Sequence, residues 1–243
     1  MQTEQRYGHL FLVPTPIGNL SDITQRALEV LSQVDIIACE DTRNSGNLLK
    51  HFNISKRLVS YHNFNESSRA AQLIESILAG QSVAVITDGG SPGISDPAYR
   101  VVRAALEAGI TIVPLPGPTA IIPALTASGL PTDRFFFEGF LPQKAGARIR
   151  RITELSTLPH TLVFYESPYR VHKSLDALFE VLGDRQACLA REISKKFEEF
   201  IRGSLGDLRN KIKDRTIKGE VVIIVSGVPA DGETDDQVED DSE

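Results

Sequence analysis

Ser82-Val83-Ala84-Val85-Ile86-Thr87-Asp88-Gly89-Gly90-Ser91-Pro92-Gly93 is an apolar, β-branched run that breaks into a turn of glycine and proline. The same pattern occurs twice more. Residues 9–13 lead into Pro14-Thr15-Pro16-Ile17-Gly18-Asn19-Leu20, and residues 111–115 into Pro116-Gly117-Pro118-Thr119-Ala120. Glycine lets backbone approach a bound molecule closely, and proline fixes the shape of the turn. Three such turns at strand ends predict one pocket built largely from main chain. An enzyme or ligand-binding protein follows more naturally than a scaffold.

Working outward, strands are predicted at 9–13, 35–39, 58–61, 82–87 and 111–115 from length and β-branching. Helical patterns at 22–32, 45–51, 66–78 and 96–107 alternate with them. Ser21 or Asp22 is placed to cap the first helix, and Gly80 and Gly109 stand where helices should stop. This alternation implies a mainly parallel sheet covered on both faces. The second half has a different rhythm. Helices are expected at 120–128, 144–155, 169–182 and 205–213, and strands at 134–140, 161–166, 187–192, 197–204 and 220–226, with 197–204 an antiparallel extension. The chain therefore reads as two α/β domains, a mainly parallel N-terminal sheet and a mixed C-terminal one. The boundary is placed near Gly117–Pro118, giving domains 1–117 and 118–228 and an acidic tail 229–243.

Bulk properties fit a soluble globular protein, 41% hydrophobic and 24% charged. No apolar run is long enough for a transmembrane helix, and residues 1–8 lack the apolar centre of a signal peptide. Cys39 and Cys188 lie within apolar runs and read as buried thiols of a reducing cytoplasm. The five histidines have no paired spacing, so no metal site is expected. Net charge is −6, but residues 229–243 hold eight acids and no base. Without them 24 acids face 26 basic side chains, which leaves the rest slightly basic and compatible with nucleic acid. The tail itself reads as solvating and disordered.

Several nucleotide-site motifs are missing. A dinucleotide fold needs Gly-x-Gly-x-x-Gly after its first strand, whereas only Gly18 stands there. There is no phosphate-binding Gly-x-x-x-x-Gly-Lys loop and no Gly-x-Ser-x-Gly elbow. A main-chain pocket with few fixed cations suits a ligand without phosphates, and S-adenosylmethionine is such a ligand.

The ordered set of motifs resembles the tetrapyrrole methylase superfamily. It comprises residues 13–22, Glu40-Asp41-Thr42-Arg43, residues 87–97, Pro116-Gly117-Pro118-Thr119-Ala120, Phe140-Leu141-Pro142, Tyr165-Glu166-Ser167-Pro168-Tyr169-Arg170 and Gly219-Glu220-Val221. Within that superfamily it is most similar to the branch that 2′-O-methylates a cytidine of small-subunit (16S) ribosomal RNA. The resemblance implies S-adenosyl-L-methionine held between two α/β domains. It further implies donor contacts at Pro16, Gly89, Gly90, Ser91, Ile94, Thr119 and Ala120, with Tyr165 and Glu166 closing the pocket. A cytoplasmic homodimer acting on rRNA in the small ribosomal subunit is implied as well. Tetrapyrrole-modifying members carry Gly-x-Gly-x-Gly-Asp in the first turn and Gly-Asp-Pro in the second. Here those stretches read Thr-Pro-Ile-Gly-Asn-Leu and Gly-Gly-Ser-Pro, which favours RNA over a tetrapyrrole.

Transfer to a ribose hydroxyl requires a group that accepts its proton. Asp41 and Glu40, with Arg43 beside them, are the first catalytic candidates, and Asp88 and Asp96 stand behind them. Each could instead cap a helix or pair with Arg43. For RNA, Lys144 and Arg148 gather with Arg150 and Arg151 on one helix, and Lys195 and Lys196 flank Phe197 near Arg191 and Arg202. Basic residues beside an aromatic can hold phosphates and stack a base. A solvated helix face accounts for the first group equally well. Arg170 is expected at the pocket wall, touching acceptor or donor. A small-molecule methylase of the tetrapyrrole type and a non-catalytic nucleotide-binding α/β protein are the alternative readings.

Overall fold

Short aliphatic strands alternating with amphipathic helices pair here into two separate five-stranded sheets, in a computed structural model describing residues 8–228. The acidic tail, 229–243, lies outside the described residues. The chain divides into two compact units between Ala120 and Ile121. Ser91 Oγ donates to the Pro118 carbonyl at 3.4 Å, which ties the segment after Gly117 to the first unit.

In the first unit the strands are β1 (Leu10–Leu12), β2 (Ile36–Cys39), β3 (Arg57–Ser60), β4 (Val83–Val85) and β5 (Ile112–Pro114). The helices between them are α1 (Gln25–Gln33), α2 (Thr42–His51), α3 (Glu66–Leu78) and α4 (Tyr99–Glu107). All strands run parallel in the order β3-β2-β4-β1-β5. Alternation along each strand sorts side chains between two cores. Ile36, Ala38, Val83 and Val85 pack with α3 and α4, whereas Ile37, Cys39, Ala84 and Ile86 pack with α1 and α2. Buried on both faces, these strands read as continuous apolar runs.

Helix boundaries follow capping chemistry. Thr24, and not Ser21 or Asp22, caps α1, its side chain accepting from Ala27 N–H at 3.0 Å. The correction has a local cause: residues Leu20–Asp22 form a separate 3₁₀ turn, capped by Asn19. Gly80 and Gly109 adopt positive φ just past α3 and α4, as the stop signals required.

The second unit contains α5 (Ile121–Thr126), β6 (Phe135–Phe140), α6 (Ala145–Leu155), β7 (Thr161–Glu166), α7 (Val171–Leu182), β8 (Gln186–Arg191), β9 (Glu199–Ser204), α8 (Leu205–Ile212) and β10 (Val221–Val225). Its sheet order is β6-β7-β10-β8-β9. Only β6 and β7 pair in parallel, so the sheet is mixed. β9 is the antiparallel extension expected from the sequence. Phe164, Leu162, Ile223 and Leu189 pack beneath α6, α7 and α8. Among the described residues no helix is long and apolar enough to cross a membrane.

Candidate functional site

The strand order of the first unit contains a switch point. From β1 the chain crosses to β2 on one side, whereas from β4 it crosses to β5 on the other, with helices on opposite faces. Open α/β sheets leave a crevice at the carboxyl ends of such neighbours, and ligands bind there. The two turns entering that crevice follow β1 and β4, and they are joined to each other. Thr15 N–H donates to the Gly90 carbonyl at 3.0 Å, and Gly90 N–H donates to the Thr15 carbonyl at 2.8 Å. Thr15 Oγ1 donates to the Thr87 carbonyl at 2.9 Å, and Thr87 Oγ1 to the Gly90 carbonyl at 3.1 Å. Both hydroxyls are buried, so their bonds replace water and rigidify the two turns as one piece.

Glycine is obligatory at two of these positions. Gly90 has φ of +94°, which L side chains rarely adopt. A Cβ on Gly117, in the third turn, would lie 2.7 Å from Pro14 Cβ of the first. The turns after β1, β4 and β5 are therefore in contact along one edge. Of the expected donor contacts, Pro16, Gly89, Gly90, Ser91, Ile94, Thr119 and Ala120 all belong to this assembly. Pro16 and Gly90 are buried within it, while Gly89 and Ile94 remain exposed. None of the three turns carries a lysine or arginine.

Acidic groups gather at the same edge. Asp41 N–H lies 3.4 Å from Asp88 Oδ1, joining the ends of β2 and β4. Asp41 itself caps α2: its Oδ1 accepts from Arg43 N–H at 2.8 Å and Asn44 N–H at 3.4 Å. Those backbone donors, and the Arg43 guanidinium 3.6 Å away, hold its carboxyl below the usual range. Arg43 is 91% exposed at its side chain. Glu40 is pushed the other way, by burial first and then by Asp88, with His62 partly offsetting the rise. Burial, reinforced by Glu40 and Asp88, lifts Asp96 to about 6. That places the Asp96 carboxyl closer to neutrality than a free one.

His62 is a residue that sequence reasoning missed. It follows β3, the strand next to β2, and its buried Nδ1 has no hydrogen-bond partner among the described residues. Its position just beyond the predicted strand at 58–61 was the available signal.

In the second unit, Tyr165 and Glu166 end β7. The Tyr165 ring packs between Phe137 and Phe140 at 4.9 and 5.7 Å. The Glu166 carboxylate is fully buried, accepting from Ser167 N–H, from Ser174 Oγ and, at 3.1 Å, from Arg170 Nη2, with the guanidinium forming an ion pair beside it. Arg170 also donates to the Leu141 carbonyl. Both charges are thus spent inside the unit. The expected RNA-binding residues divide as well. Lys195 is held by Glu192 and Glu220 at 2.9 and 3.0 Å, and Arg151 by Glu138 and Glu154. Lys196 is exposed, its Nζ 5.6 Å from the Phe197 ring centre. Lys144 is exposed at the N-cap of α6, and Arg148 is buried. Cys39 and Cys188 are buried free thiols, and among the described residues no cluster could hold a metal ion.

Comparison with known proteins adds lineage to this geometry. The family described as Tetrapyrrole (Corrin/Porphyrin) Methylases matches residues 9–209. A Vibrio cholerae protein named ribosomal RNA small subunit methyltransferase I is 50% identical over 227 residues, 92% of this chain and 79% of the relative. A protein of the same name from Escherichia coli O157:H7 is 49% identical over 229 residues, 93% of this chain and 80% of its own length. Among solved structures, the uroporphyrin-III-C-methyltransferase of Thermus thermophilus superposes with a TM-score of 0.60 at 21% identity, covering 90% of this chain and 92% of that one. Diphthine synthase gives 0.68 at 16% identity, with 90% of each chain covered. These two share the fold.

Proposed function

Because the chain belongs to the tetrapyrrole methylase family, we propose that it methylates the ribose 2′-oxygen of a cytidine in small-subunit ribosomal RNA. It is an S-adenosylmethionine-dependent methyltransferase. One observation carries the choice of RNA over a tetrapyrrole. Identity of about half, over nine-tenths of the chain, joins it to relatives named for small-subunit rRNA.

The residues present fit the donor. Three peptide-lined turns without a basic side chain suit a ligand that carries no phosphate, and the acidic edge beside them favours a cation. When bound, S-adenosylmethionine supplies an electrophilic methyl on a sulfonium. The protein's part is to orient and to take a proton. The coupled Thr15 and Gly90 turns provide a rigid floor against which reactants can be aligned, an effect worth up to about 7–11 kcal/mol in favourable cases. Asp96 is the proposed acceptor of the 2′-hydroxyl proton, with Glu40 in support. At neutral pH a carboxyl near 6 is mostly ionised yet basic enough to be useful. Asp41, its carboxyl depressed and engaged at the cap, is the poorer base and positions α2. Tyr165 is proposed as a donor-side ring, and Glu166 as the anchor that holds Arg170 and the β7 end in place. The working form is proposed to be a cytoplasmic homodimer, which sedimentation of the pure protein would test.

Labelled S-adenosylmethionine incubated with small ribosomal subunits, naked rRNA and a porphyrinogen precursor tests the assignment. The expected result is label in RNA, within a dinucleotide that resists alkali because its 2′-oxygen is blocked. Label in a base, or in the porphyrinogen alone, would overturn it.

A further inference from the structure

The N-terminus of α6 concentrates positive charge, and among the described residues no carboxylate pairs with it. Ala145, Gly146 and Ala147 open the helix with no side-chain cap and no acid in the first turn. Their N–H groups carry the positive end of the helix dipole. Lys144 occupies the N-cap, where a cation opposes that dipole. Arg148, on the same turn, leans back toward the helix start, as helical side chains do. Its guanidinium donates to the Gln143 carbonyl at 3.3 Å, so the charge sits at the helix mouth. The residue is only 7% exposed, its Nε is buried without a partner, and among the described residues no carboxylate pairs with it.

A buried cation without a counter-ion is costly, and placing it beside a second cation and a helix N-terminus raises that cost. Such an arrangement persists where an anion completes it. The mouth is also open and firmly shaped. Residues 143–146 are exposed, and a Cβ on Gly146 would touch nothing within 4 Å. The preceding loop is pinned from below, Arg170 reaching the Leu141 carbonyl and Arg148 the Gln143 carbonyl. Where β6 feeds that loop, Phe140 is 54% exposed, a face on which an unpaired base could stack.

We propose that the α6 N-terminus, with Arg148 and Lys144, is a binding site for a phosphodiester of single-stranded RNA. The site rests on the RNA reading above and locates one backbone contact of that substrate. Arg148 acts as the fixed donor, Lys144 as the mobile one, and the amides of the first turn supply the remaining bonds.

Two variants of the full chain test it by anisotropy with a single-stranded ribo-oligonucleotide over a salt series. Arg148→Met keeps length and bulk. It should lose about tenfold in RNA affinity, the scale of a charge-assisted bond, and flatten the log–log salt slope by about 0.7, one single-strand phosphate. Gly146→Asp puts a carboxylate into open space in the first turn, where the dipole welcomes it, so the melting temperature should hold or rise while RNA affinity drops similarly. A structural role for Arg148 predicts the opposite pattern: lower stability in the first variant and unchanged RNA affinity in both. Folded variants with wild-type affinity and slope would overturn the site, and if Arg148→Met fails to fold, Gly146→Asp alone decides. Calorimetric donor affinity should not move in either. If the wild-type protein methylates no RNA while the slope changes stand, the functional reading fails and the anion site survives.

Discussion

Two strand ends carry acids in this molecule, and they have opposite fates. At the end of β7, Glu166 is wholly buried, yet every oxygen has a donor: Arg170, Ser174 and the Ser167 amide. At the ends of β2 and β4, Glu40, Asp88 and Asp96 are less buried but face one another, with no lysine or arginine among the causes that shift Glu40 or Asp96. Burial alone therefore does not make a carboxyl reactive. In the second region burial acts together with neighbouring carboxylates and no cation offsets it at Asp96, so that burial first, then Glu40 and Asp88, lift Asp96 to about 6. The first arrangement holds structure, and the second stays available for proton transfer.

The largest effect expected from this contrast is at Glu166. Glu166→Gln leaves the Arg170 guanidinium, largely buried, without its counter-charge, and should cost about 3 kcal/mol in urea unfolding. A loss of only a few tenths would erase the distinction between the two ends. Asp96→Asn should act in the opposite direction. Its carboxyl ionises above the unfolded value of 3.8, so ionisation opposes folding; that cost is absent below about pH 4 and complete above about 6. The variant should match the parent at pH 4 and be more stable at pH 8, by about 1 kcal/mol or less because solvent partly screens the site. Turnover should fall sharply with donor affinity retained, and the acid limb of kcat, centred near 6, should disappear. Unchanged turnover would remove Asp96 as the proton acceptor. The smallest effect belongs to Asp41. Asn can still accept from Arg43 and Asn44 amides, so Asp41→Asn should keep α2 capped and retain most activity, whereas Asp41→Ala should lower the melting temperature. Because the carboxyl is depressed, Asp41's contribution is present above the unfolded carboxyl value and fades as pH falls through the folded one.

Much of the fold was legible in the chain, for identifiable reasons. Strand β4 and its turn are marked by β-branched residues followed by two glycines, and α3 by apolar spacing ending at Gly80. Local chemistry settles such elements. The start of α1 was misread because Ser21, Asp22 and Thr24 are all competent caps, and only the 3₁₀ turn at Leu20–Asp22 selects Thr24. Lys144, Arg148, Arg151 and Lys195 look alike as basic residues, and spacing alone does not say that Glu138 reaches Arg151, that Glu220 reaches Lys195, or that Arg148 has no carboxylate beside it among the described residues. His62 carried no motif of its own.

Order along the chain thus fixed the alternation of strands and helices, the three turns, and the family to which they belong. Those depend on spacing and on the backbone freedoms of glycine and proline, which act over a few residues. Tertiary structure alone decided which charges are neutralised. It joined Thr15 to Gly90, drew Asp96 toward Glu40 and Asp88, buried Glu166 against Arg170, and left Arg148 without a carboxylate among the described residues. Electrostatic energy depends on distance and on the exclusion of water, and neither is set until distant segments pack.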